Sequence, residues 1–263
     1  MASAYITGLG VFLPNERVSN DDMENVLGLI NGKPSRSKSR ILKSNGIKSR
    51  YYAIDAKTGK QTHNNAQLTA EAVHILSKNS NFSLEDIECL VCGTSTPDQL
   101  IPNHALMVHG ELGCPPCEVI GTSGVCCSGV TALKYGYMSV SSGLTKNSVT
   151  TGSELISNAL RGVNFQPEIE AKIRELQAKP IIAFEKDFLR WMLSDAAAAV
   201  LITDTPLEDG ISLKIDWIEH ISFANDLETC MYMGGVKRAD GSLQGWRDIE
   251  NPEEVYTESY FAP

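Results

Sequence analysis

Residues 121–129 read Gly-Thr-Ser-Gly-Val-Cys-Cys-Ser-Gly, and this segment decides how the chain is interpreted. An extended apolar run at 118–120 precedes it, and apolar residues at helical spacing follow at 130–140. A thiol between the end of a strand and the start of a helix lies where backbone N–H groups point outward and the helix dipole favours negative charge. Such surroundings favour the thiolate, which is the nucleophilic form of cysteine. The segment therefore predicts a cysteine nucleophile on a strand–turn–helix elbow.

Two cysteines are adjacent in this elbow, so at most one of them can face a substrate. Cys127 is nearer to the predicted helix start than Cys126. Because the dipole acts within the first turn of a helix, the residues favour Cys127 as the nucleophile.

Composition excludes several functional classes. The chain has 263 residues, a net charge of −9 and 42% hydrophobic residues. An acidic chain does not favour nucleic acid as its main partner, because phosphate binding requires a basic face. The sequence has neither an apolar run long enough for a membrane span nor the basic start and apolar core of a signal peptide. Together with seven cysteines, these features predict a soluble cytoplasmic protein with reduced thiols, bound to neither nucleic acid nor membrane.

Strand-like and helix-like segments alternate along the chain, which predicts an α/β fold. Gly8-Leu9-Gly10 is interpreted as a plain turn after a strand at 4–7, because no helix follows it as a dinucleotide fingerprint requires. The connection at 155–190 is long and partly charged. We expect a helix within it, at 168–177. The other predicted elements are helices at 65–78 and 102–112 and strands at 87–92, 148–151 and 211–218, with small residues packed at 194–202 before a further strand.

Two Cys-x-x-Cys pairs match the spacing of a zinc ribbon. Cys89 and Cys92, however, lie in an apolar strand, where residues three apart point to opposite faces and cannot bind one ion. The second pair is Cys114 and Cys117. Because the first pair cannot chelate, the sequence analysis predicts no metal site.

A basic segment at 33–50 contains no acidic residue, although the protein as a whole is acidic. It is either a solvated, Ser-rich loop or a docking surface for a phosphate-bearing ligand or an acidic carrier protein. Its cationic residues are Lys33, Arg36, Lys38, Arg40, Lys43, Lys48 and Arg50.

The elbow motif Cys-Cys-Ser-Gly at 126–129 resembles the nucleophile segment of β-ketoacyl-acyl carrier protein synthase III, an initiating condensing enzyme with the thiolase fold. Four further blocks resemble that family in the same order, so the resemblance spans residues 4–203. They are Ile-Thr-Gly-Leu-Gly-Val-Phe-Leu-Pro at 6–14, Asn-Gly-Ile-Lys-Ser-Arg at 45–50, Thr-Ser-Thr-Pro-Asp to the proline at 94–102, and Ser-Asp-Ala-Ala-Ala at 194–198.

The resemblance implies a thiolase-like α-β-α layered fold, of which this chain supplies largely the first of two pseudo-repeated halves. Residues 1–205 would form that half, with the nucleophilic cysteine elbow, and residues 206–263 would begin the second. In the family the two related halves stack as a five-layer sandwich, and two chains form a homodimer.

The resemblance also implies an activity. A primer acyl group from a coenzyme A or acyl carrier protein thioester would be transferred to Cys127, and malonyl-carrier would then undergo decarboxylative Claisen condensation with it. The backbone N–H of Cys127 would serve as one oxyanion donor. Ile101 would reach into the acyl pocket of the partner subunit, and Lys48 and Arg50 would bind substrate. The thioesters are substrates, and no further cofactor is implied.

Three departures from the family pattern qualify this expectation. Lys48 stands where the family has arginine, and the tryptophan expected near Arg40, which stacks on coenzyme A, is absent. These two changes favour a primer carried on protein or an unusual primer. The catalytic His and Asn of the family are expected outside this chain, because His220 comes directly after the first half.

Other functions stay open at this point. One is a ketosynthase of polyketide or aryl-lipid pathways, or a relative that condenses without decarboxylation. Another is a catalytically silent subunit that shapes a partner's pocket. The presence of Cys127 argues against the silent subunit, which needs no thiol at a helix start.

Overall fold

The computed structural model describes residues 2–165, 188–229, 231–238 and 240–248. The helix predicted at 168–177 lies outside these residues. The α-helices of the described part are α1 (Met23–Leu27), α2 (Lys38–Asn45), α3 (Asn65–Ser80), α4 (His104–Leu112) and α5 (Ser128–Ser142). Its strands are β1 (Tyr5–Phe12), β2 (Val18–Ser19), β3 (Ser49–Arg50), β4 (Cys89–Thr94), β5 (Glu118–Ser123), β6 (Asn147–Glu154), β7 (Ala196–Thr203), β8 (Leu213–Lys214), β9 (Gly235–Lys237) and β10 (Leu243–Gly245).

A central sheet joins six of the strands in the order β5-β4-β6-β7-β1-β8. Strand β4 runs parallel to both β5 and β6, whereas β7 is antiparallel to β6 and β1. The carboxyl ends of β4, β5 and β6 therefore meet at one edge of the sheet. In sheets of this kind, ligands bind at the carboxyl ends of the parallel strands.

Helices cover both faces of this sheet. Leu90 and Cys92 of β4 pack in the same apolar cluster as α3 and α4, whereas Cys89 and Val91 pack against Ala132 of α5. Alternate residues of a strand point to opposite faces, so α5 lies on the side opposite α3 and α4. The predicted α/β class and its α-β-α layers are confirmed.

The predicted turn at Gly8-Leu9-Gly10 is wrong, because all three residues belong to β1. Gly10 is needed there for close packing. A Cβ on Gly10 would collide with the carbonyl oxygen of Ala72 and the backbone nitrogen of Leu76 in α3. The glycines therefore allow a helix to approach a strand, which the local sequence does not distinguish from a turn.

The chain after β7 adds little to this sheet. The strand predicted at 211–218 is confirmed only as the short strand β8, which pairs with Tyr5 and Ile6 of β1. Strands β9 and β10 form a separate antiparallel pair. The domain division at residue 205 stays a prediction. Among the described residues, no helix combines the length and apolarity that crossing a membrane requires.

Candidate active site

The elbow predicted at 121–129 is present in the structure, with β5 leading into α5 through a tight turn. Two residues of this turn have positive φ, Gly124 at 150° and Cys126 at 61°. The N–H of Cys127 donates to the carbonyl of Val125 at 2.7 Å, which closes a three-residue turn around Cys126. A non-glycine residue at positive φ is strained, and such residues cluster at functional sites.

Cys127 is the N-cap residue of α5, as the sequence analysis expects of the nucleophile. Its side chain is exposed and forms no capping hydrogen bond. Its carbonyl accepts hydrogen bonds from the N–H and the hydroxyl of Thr131, at 2.9 and 3.0 Å. The thiol is thus accessible to solvent at the positive end of the helix dipole, where negative charge on a substrate oxygen is favoured. The assignment of Cys127 as nucleophile stays a prediction that this position favours.

The backbone N–H of Cys127 is occupied in this structure. The resemblance implies that this group donates to the substrate oxyanion, but here it donates to Val125. A substrate oxygen can use this donor only by replacing the Val125 carbonyl.

Glycines and one hydroxyl hold the elbow against the sheet. A Cβ on Gly93 of β4 would collide with the carbonyl of Ser128, and a Cβ on Gly129 would lie 3.2 Å from the Cα of Gly152 in β6. The Thr122 hydroxyl donates to the Ser128 carbonyl at 2.9 Å. These close approaches place the first turn of α5 directly on the carboxyl ends of β4 and β6.

Hydrogen bonds hold the loop after β4 beside the elbow. Glu154, at the end of β6, accepts from the Ser95 N–H at 2.8 Å, the Ser95 hydroxyl at 2.5 Å and the Thr96 hydroxyl at 2.7 Å. Asp98 accepts from two N–H groups in the first turn of α3, at 2.8 and 2.9 Å. Glu154 was not predicted as a site residue, because only the sheet topology brings it beside this loop.

A buried histidine lies under the same loop. The Nε2 atom of His104 is 3.2 Å from the hydroxyls of Thr69 and Ser153, and Nδ1 is buried without a hydrogen-bond partner among the described residues. Burial lowers the pKa of His104 to about 4, and the charge of Asp98 opposes this shift. His104 is therefore neutral at pH 7 and acts as a core residue.

Ile101 is at the surface. Its side chain is 85% exposed, which is unusual for a large apolar residue. The predicted contact between Ile101 and a partner subunit requires such exposure, and it stays a prediction.

The structure places Arg50 inside the protein, so its expected role in substrate binding stays a prediction that this burial does not favour. Its side chain is 2% exposed. One guanidinium nitrogen donates to the amide oxygen of Asn20 at 2.6 Å, and the other terminal nitrogen donates to the Trp191 carbonyl. Burial also lowers the pKa of the Arg50 guanidinium. Arg50 thus joins two distant parts of the chain and presents no charge to a ligand.

Lys48, in contrast, is exposed, and so are most other cations of the basic segment at 33–50. Lys38 is the partly buried exception: it pairs with Asp21 at 2.8 Å. The segment is also not a continuous loop, because α2 forms within it. The exposed cations of the segment are Lys33, Arg36, Arg40, Lys43 and Lys48.

Trp191 packs beneath this basic segment. It is fully buried, and Lys38 and Arg50 lie 5.4 and 5.8 Å from its ring centroid. Trp191 therefore offers no exposed aromatic face for the adenine of coenzyme A. It does not take the place of the tryptophan that is missing near Arg40.

His220 lies beside the first turn of α5. Its Nδ1 is 2.9 Å from the hydroxyl of Thr131, which in turn donates to the Cys127 carbonyl. His220 thus contacts the backbone of the elbow through one hydroxyl. This contact was not predictable from the sequence, because His220 and Thr131 are far apart along the chain.

The layered fold and the cysteine elbow are similar to those of a class of protein, the condensing enzymes with the thiolase fold. Solved structures of that class match the described architecture. AbyA1, a tetronic acid condensing enzyme, matches with a TM-score of 0.59 at 18% identity, over 78% of this chain and 54% of its own. A 3-oxoacyl-(acyl carrier protein) synthase III from Pseudomonas aeruginosa matches with a TM-score of 0.56 at 21% identity, over 76% and 50%.

Within that class, the particular relatives are β-ketoacyl-[acyl-carrier-protein] synthases III. The protein of Clostridium perfringens is 29% identical over 160 residues, which are 61% of this chain and 45% of the relative. That of Neisseria gonorrhoeae is 30% identical over 158 residues, 60% and 45%. No family model matches the chain. The chain spans about half the length of these curated relatives, and the matches confirm the predicted resemblance and fold.

Proposed function

We propose that this chain carries the acyl-accepting cysteine of a condensing acyltransferase similar to 3-oxoacyl-acyl carrier protein synthase III. The position of Cys127 is the observation that carries the proposal. Cys127 is the N-cap residue of α5, and its exposed thiol lies at the carboxyl edge of the parallel strands, at the positive end of the helix dipole. The sequence similarity to synthases III supports the same chemistry.

In the proposed reaction, the Cys127 thiolate attacks the carbonyl carbon of an acyl thioester. The thiol of coenzyme A or of the carrier leaves, and the acyl group is held on Cys127 as a new thioester. Malonyl-carrier then loses CO2, and the resulting carbanion attacks the acyl carbonyl. The Cys127 thiolate leaves, and a β-ketoacyl-carrier is released. We place the histidine and asparagine that support decarboxylation outside this chain.

Covalent labelling tests the first step directly. The purified chain is incubated with a short acyl-coenzyme A or an acyl-carrier thioester, and the mass of the intact protein is measured. We expect one acyl adduct, mapped to Cys127 by peptide mass spectrometry. The adduct should be lost in Cys127→Ala and kept in the matched control Cys126→Ala. An adduct that persists in Cys127→Ala would contradict the proposal.

We further propose an acyl carrier protein as the carrier of the primer. The exposed cations of the 33–50 segment form a surface that favours an acidic partner by charge complementarity. The absence of the tryptophan expected near Arg40, which the buried Trp191 does not replace, also favours a protein carrier. The proposal predicts faster acylation from an acyl-carrier than from the same acyl group on coenzyme A. Equal rates would contradict it.

A homodimer in the cytoplasm completes this proposal. Ile101 is the residue proposed to enter the partner's acyl pocket, because its apolar side chain is almost wholly exposed. An Ile101→Asp variant should therefore lower the molar mass measured by light scattering. Unchanged mass in a dimeric wild type would remove Ile101 from the interface.

A second candidate function is a ketosynthase of a polyketide or lipid pathway, or a relative that condenses without decarboxylation. Its support is that the structural relatives include AbyA1 and a priming β-ketosynthase of the R1128 polyketide pathway, the latter with a TM-score of 0.56 at 19% identity. Product analysis with malonyl-carrier and varied primers distinguishes these functions. The silent-subunit alternative predicts no acyl adduct at all.

A further inference from the structure

Three metal-ligating side chains meet at the junction of α4 and β5. A ring nitrogen of His109 and the sulfurs of Cys114 and Cys117 all lie within 4.8 Å of one another. All three side chains are partly exposed, and both cysteines are free thiols. The cluster lies outside the elbow and has no part in the chemistry proposed for Cys127.

The backbone explains why these residues meet. Helix α4 ends at Gly113, which has φ of 59° and donates its N–H to the His109 carbonyl at 3.1 Å. This left-handed residue reverses the chain, and the Cys-Pro-Pro-Cys segment at 114–117 then passes the last turn of the helix. The two prolines restrict the segment, which reduces the entropy lost when both sulfurs are positioned.

From this geometry we propose that His109, Cys114 and Cys117 bind a zinc ion. Zinc binds thiolate sulfur at about 2.3 Å and imidazole nitrogen at about 2.0 Å, and a tetrahedral site separates two sulfurs by about 3.8 Å. Since the three ligand atoms lie within 4.8 Å of one another, each separation needs to shorten by no more than about 1 Å to reach that arrangement. Both thiols lose their protons to solvent on binding, and water takes the fourth position, which the partial exposure of the site allows.

A backbone carbonyl is placed to orient the histidine. The Nε2 atom of His109 is 3.2 Å from the Pro115 carbonyl oxygen. In the tautomer with its proton on Nε2, the ring donates to this carbonyl and Nδ1 keeps the lone pair that binds a metal. Metal-ligating histidines commonly donate their second ring nitrogen in this way.

The other Cys-x-x-Cys pair does not join this site. Cys89 packs on the α5 side of the sheet and Cys92 on the opposite side, as the period of a strand requires. Because the two sulfurs lie on opposite faces of the sheet, these four cysteines do not form a zinc ribbon. In the proposed site, His109 instead joins Cys114 and Cys117 as the third ligand. A Cys-x-x-Cys pattern does not reveal this histidine.

The position of the site indicates a structural role. It lies at the start of β5, whereas the elbow follows the end of this strand, about 20 Å away at 3.3 Å per residue. A zinc ion there would join the last turn of α4 to the start of β5. It would stabilise the strand that leads to Cys127 without contacting substrate.

Metal analysis of the purified, reduced chain after equilibration with zinc and removal of excess metal tests the proposal. We expect one zinc per chain in wild type and none in Cys114→Ser or Cys117→Ser. His109→Gln should lower zinc affinity by at least tenfold, whereas the matched control His74→Gln, an exposed histidine on α3, should leave it unchanged. With cobalt as the probe, wild type should show thiolate-to-metal charge-transfer absorption that either serine variant removes.

A second measurement uses wild type alone, so that a variant that fails to fold leaves the proposal testable. Zinc should protect Cys114 and Cys117 from alkylation, while the exposed Cys126 stays reactive, as mapped by peptide mass spectrometry. Two results would overturn the proposal: zinc uptake that persists in Cys117→Ser, or a Cys114–Cys117 disulfide under reducing conditions with no zinc bound. Neither outcome bears on acylation of Cys127, so the two proposals fail independently.

Discussion

The backbone N–H of Cys127 donates to the carbonyl of Val125 at 2.7 Å, and this bond holds Cys126 at a φ of 61°. The turn places the thiol of Cys127 at the N-cap of α5, outside the helix and exposed to solvent. It also occupies the N–H that the resemblance assigns to the oxyanion. The strained residue beside the proposed nucleophile is therefore part of what positions it, which makes position 126 a sensitive test of the elbow.

Substitutions of Cys126 should follow its backbone conformation. Glycine adopts positive φ freely, so Cys126→Gly should be neutral or stabilise the protein by up to about 1 kcal/mol. A β-branched residue is strained there, so Cys126→Val should destabilise by about 1–2 kcal/mol and slow acylation of Cys127. Urea denaturation and the rate of adduct formation measure both effects. Equal stability of the two variants would contradict the turn described here.

The glycine beneath the elbow gives a second prediction. In Gly93→Ala, the new Cβ meets the Ser128 carbonyl, and overpacking of this kind costs about 1–3 kcal/mol. Gly110 in α4 has open space around its Cα, so Gly110→Ala is a matched control that should stabilise the helix by about 0.5–1 kcal/mol. Denaturation midpoints measure both. We expect Gly93→Ala also to impair acylation, because the start of α5 must move away from β4.

His104 makes stability depend on pH. Burial lowers its pKa from the usual 6.5 to about 4 in the folded protein, so the unfolded chain takes up this proton first as the pH falls. The contribution of neutral His104 to the free energy of unfolding is therefore present above pH 6.5 and is lost as the pH falls towards 4. Its full size is about 3 kcal/mol, from the difference between the two pKa values.

The variant His104→Gln isolates this contribution. Denaturation free energies are measured at several pH values between neutral and the folded pKa, for wild type and variant. On acidification, the free energy of unfolding should decrease less in His104→Gln than in wild type, by most of the His104 contribution. Carboxylates titrate in both proteins and do not account for this difference. Parallel pH profiles would show that His104 is not held neutral by burial.

The basic segment at 33–50 contains both a buried structural cation, Arg50, and exposed cations such as Lys48. Arg50→Lys should destabilise by about 2–3 kcal/mol, because lysine cannot bridge both the Asn20 amide and the Trp191 carbonyl. Lys48→Glu should change stability by less than about 0.5 kcal/mol and weaken binding of an acidic carrier, more strongly at low salt. Denaturation and titration of acyl carrier protein distinguish the two residues. Loss of carrier binding in a folded Arg50→Lys protein, with Lys48→Glu unaffected, would contradict this division.

Much of the architecture was predictable from short segments. The strands β4 and β6 and the helices α3 and α4 were predictable because the spacing of their apolar residues indicates which face is buried. The elbow was predictable for the same reason, since a strand pattern, small residues and a helical pattern follow one another within 121–142. Gly8-Leu9-Gly10 failed because a glycine that admits a neighbouring helix has the same local signature as a turn.

By itself, then, the sequence determined the α/β class and the elbow, because each depends on the order of residues within short elements. It also predicted Cys127 rather than its neighbour as the nucleophile. Only the tertiary structure decided that Arg50 is an internal bridge to Trp191 and that His220 reaches Thr131 beside the elbow. It alone also brought His109 to Cys114 and Cys117. These contacts depend on how a helix ends, where a loop returns and which strands are neighbours, and such long-range packing has no period along the chain.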